Sequence, residues 1–263
     1  MSQQGIQPVK YVKTLEGNYA HLFQFTDDCL YVVKFYKVRD YRKRELVNEW
    51  LAAKLGTLLG LPVLPAAAFE LSEWSLGQIP ADSRGTYRAG THLAIPYLNQ
   101  VKSYQELQES SAALYVQNAD ALAGMLIFDQ WLNNNDRSRT NILFEEKKDG
   151  SVFFWMIDHG RCFPGMYSWD LQTLKDAPVY RLDMPVYKWA SSLLPNVQPL
   201  YEFAEKMMKI NKQKIAEIVD AIPVDWEVTE REKEGLTAFL TRPEISALPD
   251  LVIGANRSML ERK

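Results

Sequence analysis

Asp136, Asn141 and Asp158 are the residues whose types and spacing first suggest chemistry. Asp136 ends the polar run Asn133-Asn134-Asn135-Asp136, and Asn141 follows five residues later in an apolar stretch, Thr140 to Glu145. A second apolar stretch, Ser151 to Ile157, comes after Lys147-Lys148-Asp149-Gly150, whose Asp-Gly pair favours a hairpin turn. Antiparallel pairing sets the beginning of one strand beside the end of the other, so the hairpin predicts Asn141 close to Asp158. Two carboxylates and one amide then converge at one sheet edge, a suitable setting for magnesium and phosphate oxygens. Phosphoryl transfer asks of a protein mainly metal ions to neutralise charge and a group to orient the attacking hydroxyl. Asp136 suits the hydroxyl; Asn141 and Asp158 suit the metal. Gly160, just past Asp158, lets the chain turn away.

A nucleotide site also needs a fixed cation. Lys34 lies in Tyr31-Val32-Val33-Lys34-Phe35, where alternation points its side chain opposite Val33 and Phe35. Its expected anionic partner is Glu49 on the following helix, with Glu45 one turn earlier as a substitute. Taken singly, each part has a duller reading. Asn/Asp runs make turns, a strand lysine snorkels from a sheet edge, and Glu49 alone is an exposed helix charge. The order of the parts is what joins them: lysine strand, acidic helix, Asp with Asn five residues on, hairpin, then Asp-x-Gly.

Positioning these residues calls for two kinds of structure. Val9 to Leu15, Ala20 to Phe25 and Leu30 to Tyr36 read as a three-stranded meander, and Lys43 to Leu59 as a long helix stopped by Gly60 and Pro62. Ala66 to Leu71 and Thr91 to Leu98 add two strands, with an irregular excursion between them marked by Gly77, Pro80, Gly85 and Gly90. After Leu98 strands become scarce. Ser103 to Gln108, Ala119 to Leu132, Leu200 to Asp220 and Thr229 to Leu260 read mainly as helix. The expected fold is α+β and bilobal, with a sheet-based lobe over residues 1–98 and a helical lobe over 99–263.

Composition bounds the partners. A net charge of -3 offers no basic excess for nucleic acid, and the dense cluster from Tyr36 to Arg44 reads as a solvated start to the helix. No apolar run is long enough to span a membrane, and the two cysteines, Cys29 and Cys162, suggest neither a disulfide framework nor a zinc knuckle. A cytoplasmic protein fits best. The three histidines lack paired metal-ligand spacing, and no Gly-x-Ser-x-Gly elbow is present.

At these residues the chain resembles the HipA-like kinases, a bacterial branch of the protein-kinase-like superfamily that is also similar to phosphatidylinositol kinases around the catalytic loop. The resemblance rests on Tyr31 to Phe35, Glu45 to Trp50 with Leu59-Gly60-Leu61-Pro62, Phe128 to Asn141 with its Asp136-Arg137 pair, and Ile157 to Gly160. It implies a protein-kinase-like fold, ATP and Mg2+ as cofactors, Lys34 as the phosphate lysine, Glu49 as its partner, Asp136 as the catalytic aspartate, and Asn141 and Asp158 as metal ligands. It further implies an adenine hinge at Ile95, Tyr97 and Leu98 and a phosphate loop at Glu16 to Tyr19. That loop offers Gly17 alone where protein kinases have three glycines. His-Arg-Asp and Ala-Pro-Glu are absent, which argues against substrate docking of the eukaryotic type. Toxin members of the family are longer, and no antitoxin partner or operator role is carried over. The acceptor implied is a protein Ser or Thr hydroxyl. A small-molecule or lipid hydroxyl, or a non-catalytic nucleotide-binding scaffold, are the alternatives. Tyr167 to Pro195 is expected to line the acceptor side or to serve in packing.

Overall fold

A computed structural model of the chain describes residues 6–15, 20–36, 41–84, 87–108 and 115–260. Five strands, β1 (Pro8–Thr14), β2 (Ala20–Phe25), β3 (Leu30–Lys34), β4 (Ala67–Leu71) and β5 (Gly90–Pro96), form an antiparallel sheet in the order β1-β2-β3-β5-β4. Asp27 closes the turn before β3 by accepting the amide of Cys29 at 3.1 Å, and Asp28 takes a left-handed conformation there. Between β3 and β4 runs helix α1 (Glu45–Leu58). Its C-terminus closes in a Schellman turn: Gly60, at φ +69°, donates to Thr57 and Leu61 donates to Gly56. The excursion before β5 is more regular than its glycines predict, since it holds short helices α2 (Glu73–Gly77) and α3 (Ala81–Arg84).

A second sheet follows. β6 (Val101–Ser103), β7 (Ile142–Glu146) and β8 (Val152–Met156) pair antiparallel, with α4 (Tyr104–Gln108) and α5 (Ala121–Trp131) lying between β6 and β7 in the chain. The β7–β8 hairpin is as expected, with Ile142 opposite Met156 and Gly150 at φ +82° in the turn. β6 is an addition; three residues are too few to show a period-2 pattern. The remainder is helical: α6 (Pro185–Leu193), α7 (Gln198–Met208), α8 (Lys212–Asp220), α9 (Glu230–Leu240) and α10 (Leu248–Leu260). The expected helix from Leu200 to Asp220 is therefore two, parted at Lys209 to Asn211, where Asn211 caps α8 by accepting the Gln213 amide.

Two apolar cores result. Phe23, Phe25, Val33, Phe35, Phe69 and Leu76 pack on one side of the five-stranded sheet. A second, larger core holds Leu46, Val47, Trp50 and Leu51 of α1 together with Leu126 and Phe128 of α5 and Trp226. Helix α1 thus follows the first sheet in sequence and shares its core with the helical half. No helix among the described residues is long and apolar enough to cross a membrane.

Candidate active site

Lys34 ends β3 with its side chain opposite Val33, which is wholly buried in the sheet's own core. Its ammonium is thereby turned toward α1, where it makes a short contact with Glu49 and lies 3.7 Å from Glu45. A third carboxylate arrives from the hairpin: Asp158, two residues past β8, accepts from Lys34 Nζ at 2.8 Å. Asp158 adopts φ +54°, an uncommon conformation for a residue with a side chain. Its neighbour's amide explains how it is held, because His159 N–H donates to Glu49 Oε2 at 3.1 Å. Glu49 therefore fixes both the lysine and the backbone beside the carboxylate.

Burial alone would lower the Lys34 pKa, but Asp158 and Glu49 outweigh it and hold the ammonium well above its ordinary range. Asp158 is held well below the usual carboxylate range by Lys34. Glu49 is pushed up to about 7 by burial, against the pull of Lys34. One ammonium cannot fully satisfy so many carboxylates at low dielectric, and the most enclosed of them bears the cost.

Asn141 sits beside Asp158 as the hairpin requires: its carbonyl accepts the amide of Ile157 at 3.2 Å. The Asn141 side-chain N–H donates to the Asp136 carbonyl at 2.6 Å, joining the polar loop to the hairpin. Asp136 reaches out from that loop with its side chain 30% exposed, 3.7 Å from the guanidinium of Arg161. Burial raises its pKa, with Arg161 opposing. Lys34, Glu49, Asp136, Asn141 and Asp158 are thus brought to one region.

The residues fit magnesium shared with phosphate. Asn141 Oδ1 accepts only a long 3.4 Å contact from Thr140, and the Asp158 side chain keeps 40% of its exposure. Both retain acceptor capacity for a hard cation. The charges around them are Lys34, Arg42 and Arg161 against Glu45, Glu49, Asp136 and Asp158, three positive and four negative, an excess that a cation relieves. Among the described residues no group of three or more His, Cys, Asp or Glu forms a metal cage.

The expected hinge is partly committed. Ile95 pairs opposite Val32 and lines a small cavity with Glu49, Val63 and Asp158. Pro96 has no N–H, and the Tyr97 amide donates to the Leu30 carbonyl at 2.9 Å. Gly17 and the loop from Glu16 to Tyr19 lie outside the described residues.

The roles of several further site residues appear only in the structure. Arg137, wholly buried, makes a bidentate pair with Asp129 of α5 at 2.8 and 2.9 Å, and also donates to the carbonyls of Asn141 and Ile157. It also donates to His159 Nε2 at 2.8 Å, so that nitrogen is an acceptor and the ring is neutral. Burial first, then Arg137, lowers the His159 pKa to about 3. Asn48 donates to the carbonyls of Gly160, Cys162 and Met166 and accepts from the Trp169 indole. A carboxylate inside an apolar helix, as Asp129 is, and an amide in mid-helix, as Asn48 is, were the available signals.

The basic cluster before α1 is not the solvated start expected. Arg42 pairs with Glu45, and Arg44 pairs with Glu232 of α9 while donating to the Glu227 carbonyl. Lys37 and Arg39 lie outside the described residues. Trp169 has a packing role, being fully buried against Asn48 and Arg44.

Solved structures of low identity share the fold. The Helicobacter pylori proinflammatory kinase CtkA aligns with a TM-score of 0.57 at 17% identity, covering 98% of this chain and 97% of that one. The Golgi casein kinase aligns at 0.56 and 13% identity, covering 94% of this chain and 74% of that one. These likenesses identify the architecture as bilobal and kinase-like. No curated protein sequence matches the chain. The family model described as HipA-like kinase matches residues 17–245. Matched over that length, the chain belongs to the HipA-like kinase family.

Proposed function

We propose that the chain moves the γ-phosphoryl group of ATP, with magnesium, onto a Ser or Thr hydroxyl of a protein. The observation that carries this reading is Lys34 held between Glu49 of α1 and Asp158 after β8, with Asn141 paired beside Asp158. In this reading Lys34 binds the nucleotide phosphates and Glu49 keeps it in place. Asn141 and Asp158 would hold magnesium, which would supply neutralisation of the charge on the transferring group. Asp136 orients the acceptor hydroxyl and takes its proton, and its raised pKa makes it a better proton acceptor than an ordinary carboxylate. Its partial exposure supports a hydroxyl presented from outside the fold, as on a protein, over a substrate enclosed in a cavity.

The deciding experiment follows ADP formation and labelled phosphate on candidate proteins for the parent and for Asp136→Asn. The expected loss is about 10³-fold. Equal rates in the two proteins remove Asp136 from the reaction. Label on a small molecule or lipid in place of protein moves the acceptor class, and nucleotide binding without turnover in the parent marks a non-catalytic scaffold.

A further inference from the structure

Four arginines surround the site, and three of them are spoken for. Arg137 is saturated by Asp129 and by backbone carbonyls, Arg42 has Glu45, and Arg44 has Glu232. Arg161 differs. Its contacts among the described residues are a carboxylate oxygen of Asp136 at 3.7 Å, the thioether of Met166 at 3.5 Å and the Tyr167 ring at 5.7 Å. The first is longer than a hydrogen bond and the second is a weak acceptor. Its Nε is shielded from solvent without an acceptor, as is that of Arg44, but Arg44 has a carboxylate on its terminal nitrogens and Arg161 has none at hydrogen-bond distance. A guanidinium has five N–H donors in a fixed fork, and the Arg161 side chain is 39% exposed, so its terminal donors face solvent beside Asp136 and are open to an anion.

The backbone around Arg161 is nevertheless well determined. Asn48 grips the carbonyls on both sides of it, Gly160 at 2.7 Å and Cys162 at 3.1 Å. At Gly160 a Cβ would meet Glu45 Cγ at 3.0 Å and Tyr167 at 3.3 Å, so this stretch lies close against α1. A firmly held backbone that presents an under-satisfied guanidinium is what a preorganised anion site requires. Arg161 also stands three residues past Asp158 and faces Asp136. In the proposed reaction these two carboxylates serve the acceptor hydroxyl and the metal.

We infer that Arg161 is a further catalytic residue of this site, its guanidinium contacting the γ-phosphoryl group in transit and steadying the charge on its oxygens, an inference that rests on the phosphotransferase reading above. In the step, the acceptor hydroxyl oxygen bonds to the γ-phosphorus as the bond to the β–γ bridging oxygen breaks. The hydroxyl proton passes to Asp136, and the electron pair of the broken bond stays on ADP. Before nucleotide binds, Arg161 rests against Asp136. With the γ-phosphoryl group present, its N–H donors gain the strong acceptors they lack. The role resembles that of an arginine finger supplied within one chain.

The test compares parent, Arg161→Lys and Arg161→Met by calorimetric titration with Mg·ADP and with the non-hydrolysable Mg·AMP-PNP, alongside steady-state ATP turnover. Arg161→Met is expected to weaken AMP-PNP at least about 10-fold while ADP stays within about 2-fold, and to lower kcat by about 10²-fold or more with little change in KM. Arg161→Lys, which keeps the charge and loses the fork, recovers part of both. Equal weakening of the two nucleotides, or an unchanged AMP-PNP affinity, overturns the role and leaves the phosphotransferase reading standing. A parent that binds neither nucleotide defeats both. A parent that binds without turnover is still decided by the affinity ratio, which needs no chemistry.

Discussion

Two charge clusters lie within one site and behave oppositely. Around Arg137 the pair is sealed: both it and Asp129 have fully buried side chains, and the Asp129 carboxylate is completed by Asn134 and Tyr187. Around Lys34 the pair is open: the lysine side chain is 13% exposed and that of Asp158 40%, with acceptor capacity left over. The chemistry is the same, a cation against carboxylates at hydrogen-bond distance. The difference is saturation. A cluster whose donors and acceptors match can only support structure, whereas one with an excess of carboxylate oxygens facing a cleft can take a ligand.

The sharpest way to break this contrast is one substitution of the same kind in each cluster. Asp158→Asn is expected to cost about 10³-fold in phosphoryl transfer with little change in melting temperature, because the side chain it alters is half open to the cleft. Asp129→Asn leaves Arg137 buried without its counter-charge and is expected to destabilise the fold by about 3–5 kcal/mol. Denaturant unfolding beside turnover measurements checks both. If Asp129→Asn folds as stably as the parent, the distinction between sealed and open clusters is wrong.

A ligand effect of intermediate size should appear at the open cluster alone. ATP at about 100 times its dissociation constant raises stability by about 2.7 kcal/mol, and this gain should be larger with magnesium than with a chelator. Asp158→Asn should remove the magnesium-dependent part. Thermal melts of the two proteins with and without metal report it directly, and identical gains in all conditions count against Asn141 and Asp158 as metal ligands.

The smallest effect, measured between pH 6.5 and 5, is a pH slope at the sealed cluster. His159 is neutral in the fold, its pKa lowered to about 3 chiefly by burial and then by Arg137, while the unfolded chain protonates it near its ordinary 6.5. A depressed pKa means that the His159 contribution is complete above pH 6.5 and is lost as pH falls toward 3. Between pH 6.5 and 5 the expected slope from this residue rises from about 0.7 to about 1.3 kcal/mol per unit. His159→Gln, which retains an acceptor for Arg137, should flatten it in unfolding titrations, and an unchanged slope would place the titration elsewhere.

Much of this arrangement is legible from local signals. Alternation and turn residues predict the β7–β8 hairpin, and pairing in it predicts the proximity of Asn141 to Asp158, because register follows from the turn. Lys34 and Glu49 are paired by the same kind of reasoning, one strand followed by one helix. The partner of Arg137 is not reached in that way. Asp129 looks like one polar residue on a helix, and its face is fixed only when α5 packs against the hairpin and Tyr187. Asn48, read from the chain, is one more residue beside Glu49; its three carbonyl acceptors lie 112 to 118 residues away. The start of α1 likewise depends on Glu232, 188 residues from Arg44.

From the order of its residues alone, then, every described strand but β6, the main helix and the gathering of an amide and carboxylates near a lysine were determined, since each depends on spacing along a short stretch of chain. Which charges became scaffold and which stayed open to a ligand was decided only in three dimensions. Saturation depends on every donor and acceptor within about 3 Å, and those come from segments whose meeting leaves no periodic trace in the sequence.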